Sequence, residues 1–159
     1  MKIDSKNNYH LIDSNILVYA TDAESALHEE AKLLFSRCLE GQIKGVLAQQ
    51  NLLELINVLV KYYKKESSFA TKTARVYSDK FALRIISPLP TTFALFDKLS
   101  SQSKKLDTYD LYLAATALDN GVDSIITNNS KDFKGIEGLE VYGLGDIKSL
   151  VGVIKSEHE

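Results

Sequence analysis

The stretch Leu11-Ile12-Asp13-Ser14-Asn15 interrupts an apolar run with three polar residues, and apolar residues return at 16–18. This pattern predicts a buried strand over 9–12 that ends at the Asp13 carboxylate. Ligands of open α/β sheets gather at the carboxyl ends of the strands, so Asp13 stands where chemistry is expected. The structural alternative is that Asp13 caps the following helix or shapes a turn, as Asp and Ser often do.

Apolar runs and helical patterns alternate along the rest of the chain. Further strands are predicted at 45–48, 83–86, 124–127 and 139–142. Helices are predicted at 26–39, 52–63, 93–101, 108–120 and 146–154, with another that begins at Ser67. This alternation predicts an α/β fold, a three-layer α/β/α sandwich with a mainly parallel central sheet. We expect a single domain over 1–159 with its core at 9–154.

The composition is typical of a globular protein, with 45% apolar and 25% charged residues. The formal net charge of −2 gives the whole molecule no attraction to nucleic acid, so such contact needs a local basic patch. The single cysteine, Cys38, cannot form an internal disulfide and indicates a reducing compartment. Its apolar helical surroundings predict a core position. Because no apolar run reaches membrane-spanning length and the start is polar, we expect a cytoplasmic protein.

Glu54 stands inside a densely apolar helical segment. Gln50, Glu54, Asn57 and Lys61 recur at helical spacing and form one narrow polar stripe. Such a stripe is usually the solvent-facing side of a helix. The functional alternative is that it lines a cleft at the carboxyl edge of the sheet, with Glu54 directed toward Asp13.

Two acids open the helix predicted at 108–120. Asp107 is placed as its N-cap, and Asp110 follows three residues later, at the position that completes a capping box. The helix dipole favours both carboxylates there. Ala114 and Ala117 lie one and two turns beyond Asp110, so this side of the helix can pack closely and leave the carboxylate at the rim of a cleft. Capping and function are compatible at Asp110.

The strand predicted at 124–127 also ends in polar residues. Asn129 and Asp132 follow Thr127 closely enough to reach the same cleft as Asp13. Ordinary loop chemistry is the alternative, because Asn and Ser favour turns.

Taken in order, these segments resemble a PIN domain. They are Leu-Ile-Asp-Ser-Asn at 11–15, Glu54 in its apolar helix, Asp-Leu-Tyr-Leu-Ala-Ala-Thr-Ala at 110–117, and Ile-Thr-Asn-Asn-Ser-Lys-Asp-Phe at 126–133. Over roughly residues 9–145 the chain is most similar to the small ribonucleases of VapC-type toxin–antitoxin systems. The resemblance implies a homodimeric endoribonuclease that depends on Mg²⁺ or Mn²⁺ and is restrained by a cognate antitoxin.

The resemblance assigns the metal-binding residues by position. Asp13 matches the first acid of the family, Glu54 the second and Asp110 the third. Asp132 matches the acid before the phenylalanine, and Asn129 stands where some relatives carry an acid two residues after the threonine. Together these five residues are the expected metal site.

The chemistry of phosphodiester cleavage suits these acids. Mg²⁺ selects oxygen ligands and is bound through few carboxylates, with several waters retained. The three histidines of the chain show no metal-ligand spacing, which argues against zinc. A bound cation can lower the pKa of a water and stabilise charge on the phosphate. We therefore assign Asp13 and Asp110 as principal ligands and Glu54 as a ligand or as the residue that positions the attacking water.

Substrate contacts are predicted at polar and basic positions near the acids. Ser14 and Thr127 match polar positions beside the family's site, and Lys104 and Lys105 precede the helix that carries Asp110. A basic middle segment with interleaved tyrosines is a second candidate surface for single-stranded RNA; a solvated helical face with core tyrosines is the alternative. Its members are Lys61, Tyr62, Tyr63, Lys64, Lys65, Lys72, Arg75, Tyr77, Lys80 and Arg84.

Three other functions remain as alternatives to a nuclease. A non-catalytic PIN-fold module that binds nucleic acid or a protein partner is favoured by the amide at Asn129. A phosphotransferase with an Asp13 nucleophile ranks lower, because Asn15 replaces the second Asp of such enzymes. Dinucleotide binding has little support, since no Gly-x-Gly-x-x-Gly follows the first strand.

Overall fold

The computed structural model describes residues 8–102 and 107–155, which alternate between strands and helices from Tyr9 onward. Within these ranges the strands are β1 (Tyr9–Ile12), β2 (Lys44–Ala48), β3 (Arg84–Ile86), β4 (Ser124–Ile126) and β5 (Glu140–Tyr142). The helices are α1 (Ser14–Thr21), α2 (His28–Leu39), α3 (Gln49–Lys61), α4 (Ser67–Lys80), α5 (Thr92–Gln102), α6 (Thr108–Asp119) and α7 (Ile147–Lys155). Short 3-10 turns, Ser130–Asp132 and Leu144–Asp146, follow β4 and β5. No helix in the described ranges has both the length and the apolar character needed to cross a membrane.

The strands form one parallel sheet in the order β3-β2-β1-β4-β5. The central strand β1 pairs with β2 through Leu11 and Val46, and with β4 through Leu11 and Ile125. Parallel neighbouring strands cannot be joined by tight hairpins and need longer crossover connections. In this fold the crossover connections contain the helices that cover the sheet. The predicted α/β fold with a parallel central sheet is confirmed.

The two faces of the sheet bury separate apolar clusters. Ile12 and Leu47 belong to one cluster, together with side chains of α1, α2, α3 and α4. Their strand neighbours Leu11 and Val46 belong to the other, together with α5 and α6. This alternation follows from the period of two along a strand and produces the three layers. Cys38 is buried in the first cluster, which confirms its predicted core position.

The carboxyl ends of the central strands meet at one edge of the sheet. Asp13 directly follows β1 and caps α1, and Thr127 directly follows β4. At the end of β2 the Asn51 side-chain oxygen accepts a hydrogen bond from the Ala48 N–H at 2.9 Å. This contact satisfies a backbone donor at the helix start, so α3 begins at Gln49, earlier than the predicted residue 52.

Candidate active site

Asp13 is a buried carboxylate held on both of its oxygens. Its Oδ1 accepts the Ser14 N–H at 2.8 Å, as an N-cap does, and its Oδ2 accepts the Thr127 hydroxyl at 2.8 Å. The side chain is 6% exposed. Burial raises the pKa of Asp13 above its usual value, the Thr127 and Ser14 hydrogen bonds oppose that rise, and the Glu54 charge adds to it. The polar end of β1 therefore provides both a helix cap and a carboxyl group that is fixed in position.

Glu54 is directed toward Asp13 by two hydrogen bonds. Its Oε2 accepts the Ser14 hydroxyl at 2.5 Å, and its Oε1 accepts the Gln50 amide at 2.8 Å. The same Gln50 amide nitrogen donates to the Tyr109 carbonyl at 2.9 Å. These contacts join α1, α3 and the start of α6 around one point at the carboxyl edge.

The polar stripe of α3 serves two purposes along its length. Gln50 and Glu54, in the first half of the helix, are partly buried and line the site. Asn57 and Lys61, in the second half, are exposed. The first half of the stripe therefore lies beside Ser14 and Asp13, whereas the second half faces solvent.

The start of α6 separates the roles of its two acids. Asp107 is exposed and caps the helix, because its Oδ1 accepts the backbone N–H groups of Tyr109 at 2.9 Å and Asp110 at 3.2 Å. Asp110 is half-buried, and burial together with the negative charges around it raises its pKa to about 7. The groups responsible, after burial, are Asp13, Asp107, Asp132 and Glu54 in that order. Asp110 therefore lies within electrostatic reach of the neighbouring cap Asp107 and of three carboxylates from other elements.

The loop after β4 supplies the last predicted residues. Asp132 lies in the 3-10 turn and is partly buried, with its charge acting on Asp110. The exposed Asn129 donates its side-chain amide to the Asp132 carboxylate, and its backbone N–H donates to the Thr127 hydroxyl at 2.9 Å. Asn129 thus lies beside the cluster of acids as a neutral hydrogen-bond partner of Asp132.

Among the predicted substrate contacts, two have hydroxyl groups that already serve the acids. Ser14 donates to Glu54, whereas Thr127 is 1% exposed and donates to Asp13. Thr127 is placed to position Asp13 rather than to touch a ligand. Lys104 and Lys105 lie outside the described residues and stay predictions.

The basic middle segment does not form one aromatic surface. Tyr77 is buried, and its hydroxyl lies 2.9 Å from that of Thr21, so its ring is a core group. The Tyr63 hydroxyl donates to Asp22 at 2.8 Å. Tyr62 is exposed at the end of α3. The suggestion that Tyr77 stacks on bases is therefore wrong.

Sequence reasoning missed two amides that border the acids. Gln50 was assigned to the stripe but not to the site, although its i,i+4 spacing from Glu54 predicts that hydrogen bond. Asn15 is partly buried, and its side-chain nitrogen donates to the Thr127 hydroxyl at 3.4 Å. The Asn15 Oδ1 is buried with no hydrogen-bond partner among the described residues. In the sequence, only the position of Asn15 two residues after Asp13 indicated that it could border the site.

The family model of the PIN domain matches residues 10–139. The chain belongs to the PIN domain family. The resemblance drawn from the four sequence segments is confirmed.

Individual relatives of this PIN domain are similar over different lengths. Ribonuclease VapC1 of Rickettsia felis is 41% identical over 56 residues, which are 35% of this chain and 41% of that protein. The structure of VapBC2 from Rickettsia felis bound to a DNA fragment from their promoter has a TM-score of 0.68 at 19% identity, covering 85% of this chain and 98% of that chain. The VapBC-1 structure from nontypeable Haemophilus influenzae has a TM-score of 0.64 at 19% identity, covering 86% and 98%. At these identities the two structures establish the fold alone.

The donor chemistry of this PIN domain suits a hard divalent cation. Its acidic group offers only oxygen atoms, which Mg²⁺ and Mn²⁺ prefer. A buried carbonyl oxygen without a donor is unusual, so the Asn15 Oδ1 is a further unused oxygen at this edge. Within residues 8–102 and 107–155, no three His, Cys, Asp or Glu side chains are arranged to hold one ion. Glu54 and Asp132 are instead engaged by their hydrogen-bonding neighbours.

Proposed function

We propose that this PIN domain is an endoribonuclease that depends on Mg²⁺ or Mn²⁺. The observation that carries the proposal is the environment of Asp110, where burial and four neighbouring carboxylates raise the pKa to about 7. Concentrated negative charge of this kind costs free energy in the folded protein unless protons or cations offset it. Perturbed acids in such clusters are a recognised mark of active sites.

The residues form two groups. Carboxylates would bind the cation, and hydroxyl-bearing residues keep these carboxylates in position. Asp13 and Asp110 are the proposed principal ligands, with Glu54 as a ligand or as the group that positions the attacking water. When bound, the cation would lower the pKa of a water and offset negative charge on the phosphate. Ser14 and Thr127 keep the carboxylates of Glu54 and Asp13 in place through their hydroxyls.

Asp132 and Asn129 form the outer part of the proposed site. Asp132 adds negative charge near Asp110, and Asn129 contributes an amide in place of a further charge. We assign both as contacts to bound waters or to a second cation. The lower charge at Asn129 favours fewer tightly held cations than an acid would.

The relatives support RNA as the substrate and an antitoxin as the partner. Ribonuclease VapC1 is named for cleavage of RNA, and a structure of similar fold, VapBC-5 from Mycobacterium tuberculosis, is named as a member of the VapBC family of toxin–antitoxin systems. We propose the same two ligands here, with single-stranded RNA as substrate and a cognate antitoxin as inhibitor. A homodimer belongs to the same proposal and is tested by analytical ultracentrifugation.

A labelled RNA pool tests the cleavage proposal. Purified protein is incubated with the pool in Mg²⁺, in Mn²⁺ and in a chelator, alongside Asp13→Asn prepared in the same way. We expect metal-dependent fragments from the wild type and none from the variant. Equal fragments from both proteins would identify a contaminating nuclease and remove the proposal.

The second candidate function is a non-catalytic PIN-fold module for nucleic acid or a protein partner. The neutral Asn129, whose amide is used by Asp132, favours it. Such a module binds RNA or protein equally with and without metal and leaves the pool intact. The same incubation, read by binding as well as by fragment length, separates the two functions.

A further inference from the structure

Tyr109 places an exposed aromatic ring directly beside a residue of the proposed active site. It precedes Asp110 in the first turn of α6, and 70% of its surface is exposed. An aromatic ring left this open keeps most of its apolar surface in water, which is unfavourable. A ligand that covered the ring would remove part of this surface from water.

The backbone that carries this ring is fixed relative to the acids. The Tyr109 N–H donates to the Asp107 carboxylate at 2.9 Å, and its carbonyl accepts the Gln50 amide at 2.9 Å. Because the same Gln50 nitrogen donates to Glu54 at 2.8 Å, one side chain sets the position of Tyr109 relative to Glu54. A rigid backbone with a free ring suits recognition, since little conformational entropy is lost when a ligand binds.

We propose that the Tyr109 ring is a base-stacking subsite that holds the unpaired base next to the scissile phosphate. This inference rests on the proposed ribonuclease function and deepens it. Unpaired RNA bases stack on aromatic side chains, and stacking tolerates any base because each has a flat π-face. The ring would fix the strand beside the carboxylates without adding charge to an already negative site.

Phe93 offers a matched control on the same layer of the fold. It is 68% exposed, near the start of α5. The neighbouring Thr92 donates its hydroxyl to Asp119 at 2.8 Å, which places this end of α5 beside the last residue of α6. Asp119 is ten residues beyond Tyr109, or about 15 Å along the helix axis. Phe93 is therefore almost as exposed as Tyr109 but lies away from the proposed site.

Kinetics on a short single-stranded RNA that the wild type cleaves test the subsite. For Tyr109→Ala we expect KM to rise roughly five- to a hundredfold, the usual effect of losing one base–aromatic stack. The kcat should change little, because stacking is the same in the ground and transition states. Tyr109→Phe should restore KM, and Phe93→Ala should leave it unchanged. An unchanged KM for Tyr109→Ala, in an enzyme that still cleaves, overturns the subsite while the nuclease function stands.

Oligonucleotides that lack a single base locate the stacked position. With the wild type, removal of one particular base should raise KM as much as Tyr109→Ala does. With Tyr109→Ala, removal of that same base should cost nothing more, which is the non-additivity expected for two groups in contact. Additive losses at every position contradict the proposal. A change in the sedimentation of Tyr109→Ala also contradicts it, because the ring would then belong to a contact between two copies of the chain. If the wild type cleaves no RNA, the proposed function fails first and the subsite falls with it.

Discussion

The Asp13 carboxylate has a hydrogen-bond donor on each oxygen and is almost fully buried, so its position is fixed before any ligand arrives. Glu54 and Asp110 act on the same region from α3 and α6. We expect Asp13→Asn, Glu54→Gln and Asp110→Asn each to lower cleavage by on the order of a hundredfold or more. Because residues that act as one unit are non-additive, Asp13→Asn combined with Asp110→Asn should cost little beyond either alone.

Single-turnover rates on one RNA measure these losses, and circular dichroism verifies that each variant is folded. Glu29→Gln is the matched control, because Glu29 is exposed on α2 and pairs only weakly with Lys32 at 3.7 Å. A variant that cleaves at nearly the wild-type rate removes its residue from the mechanism.

Thr127 is a positioning residue whose hydroxyl both donates and accepts. It donates to Asp13, and it accepts the Asn129 N–H and the Asn15 side-chain amide. Thr127→Val removes the hydrogen-bond partner of all three groups, so we expect a loss of about 1–3 kcal/mol in the free energy of unfolding, together with weaker cleavage. Thr127→Ser keeps the hydroxyl and should retain most of both. Urea denaturation measures the first effect; equal stability of the Val and Ser variants would show that the hydroxyl is not needed.

The start of α6 allows a direct comparison between an acid that caps a helix, Asp107, and an acid of the proposed active site, Asp110. Asp107 caps the helix, and Asn caps nearly as well as Asp, so Asp107→Asn should keep both stability and cleavage. Asp107→Ala should lower the free energy of unfolding by about 0.5–2 kcal/mol, since two backbone donors lose their acceptor. Both quantities are measured on the same preparations as Asp110→Asn. Cleavage as weak in Asp107→Asn as in Asp110→Asn would mean that the third acid is misassigned.

Within the described residues, local patterns predicted the five strands and six of the seven α-helices, because each of these elements buries one face. Helix α1 was raised only by the capping alternative at Asp13. The strand ends at Asp13 and Thr127 were evident from apolar runs that stop at polar residues. The start of α3 was placed late, since the cap that begins it depends on the side chain of Asn51 bonding back to Ala48.

The candidate site was harder to predict from the sequence, because it depends on contacts between residues that are far apart in the chain. The sequence placed Glu54 in a polar stripe, but only the partners Ser14 and Gln50 show which half of α3 faces the acids. Tyr77 illustrates the opposite error. Its neighbours in sequence are basic, yet its ring packs at 5.0 Å from Phe35, 42 positions earlier, and belongs to the core.

Across the whole molecule, the raised pKa values link folding to pH. In the folded protein Asp110 holds its proton up to about pH 7, whereas its ordinary pKa is 3.8. The folded state therefore binds more protons in this window, so the contribution of Asp110 to stability is full below its ordinary pKa and is lost as pH rises through 7. Asp13 acts in the same direction, whereas burial lowers the pKa of His10 and opposes it.

A comparison of wild type with Asp110→Asn isolates this group, because the contribution of His10 cancels. We expect the variant to gain stability relative to the wild type as pH rises from about 4 to about 7 in a chelator, and the difference then to level off. Urea denaturation across this range measures it. A difference that does not depend on pH would show that Asp110 has an ordinary pKa.

Metal binding should stabilise the whole molecule by relieving the same repulsion. A ligand that binds only the folded state adds about 2.7 kcal/mol at a hundred times its dissociation constant. For a domain of this size each kcal/mol raises the melting temperature by roughly 2–4 °C, so saturating Mn²⁺ or Mg²⁺ should raise it by roughly 5–10 °C. Asp13→Asn should gain much less, because it removes a proposed principal ligand, whereas Glu29→Gln should respond as the wild type does. Differential scanning calorimetry with and without metal measures these shifts. Equal shifts in the wild type and Asp13→Asn would place the cation elsewhere and favour the binding module over the nuclease.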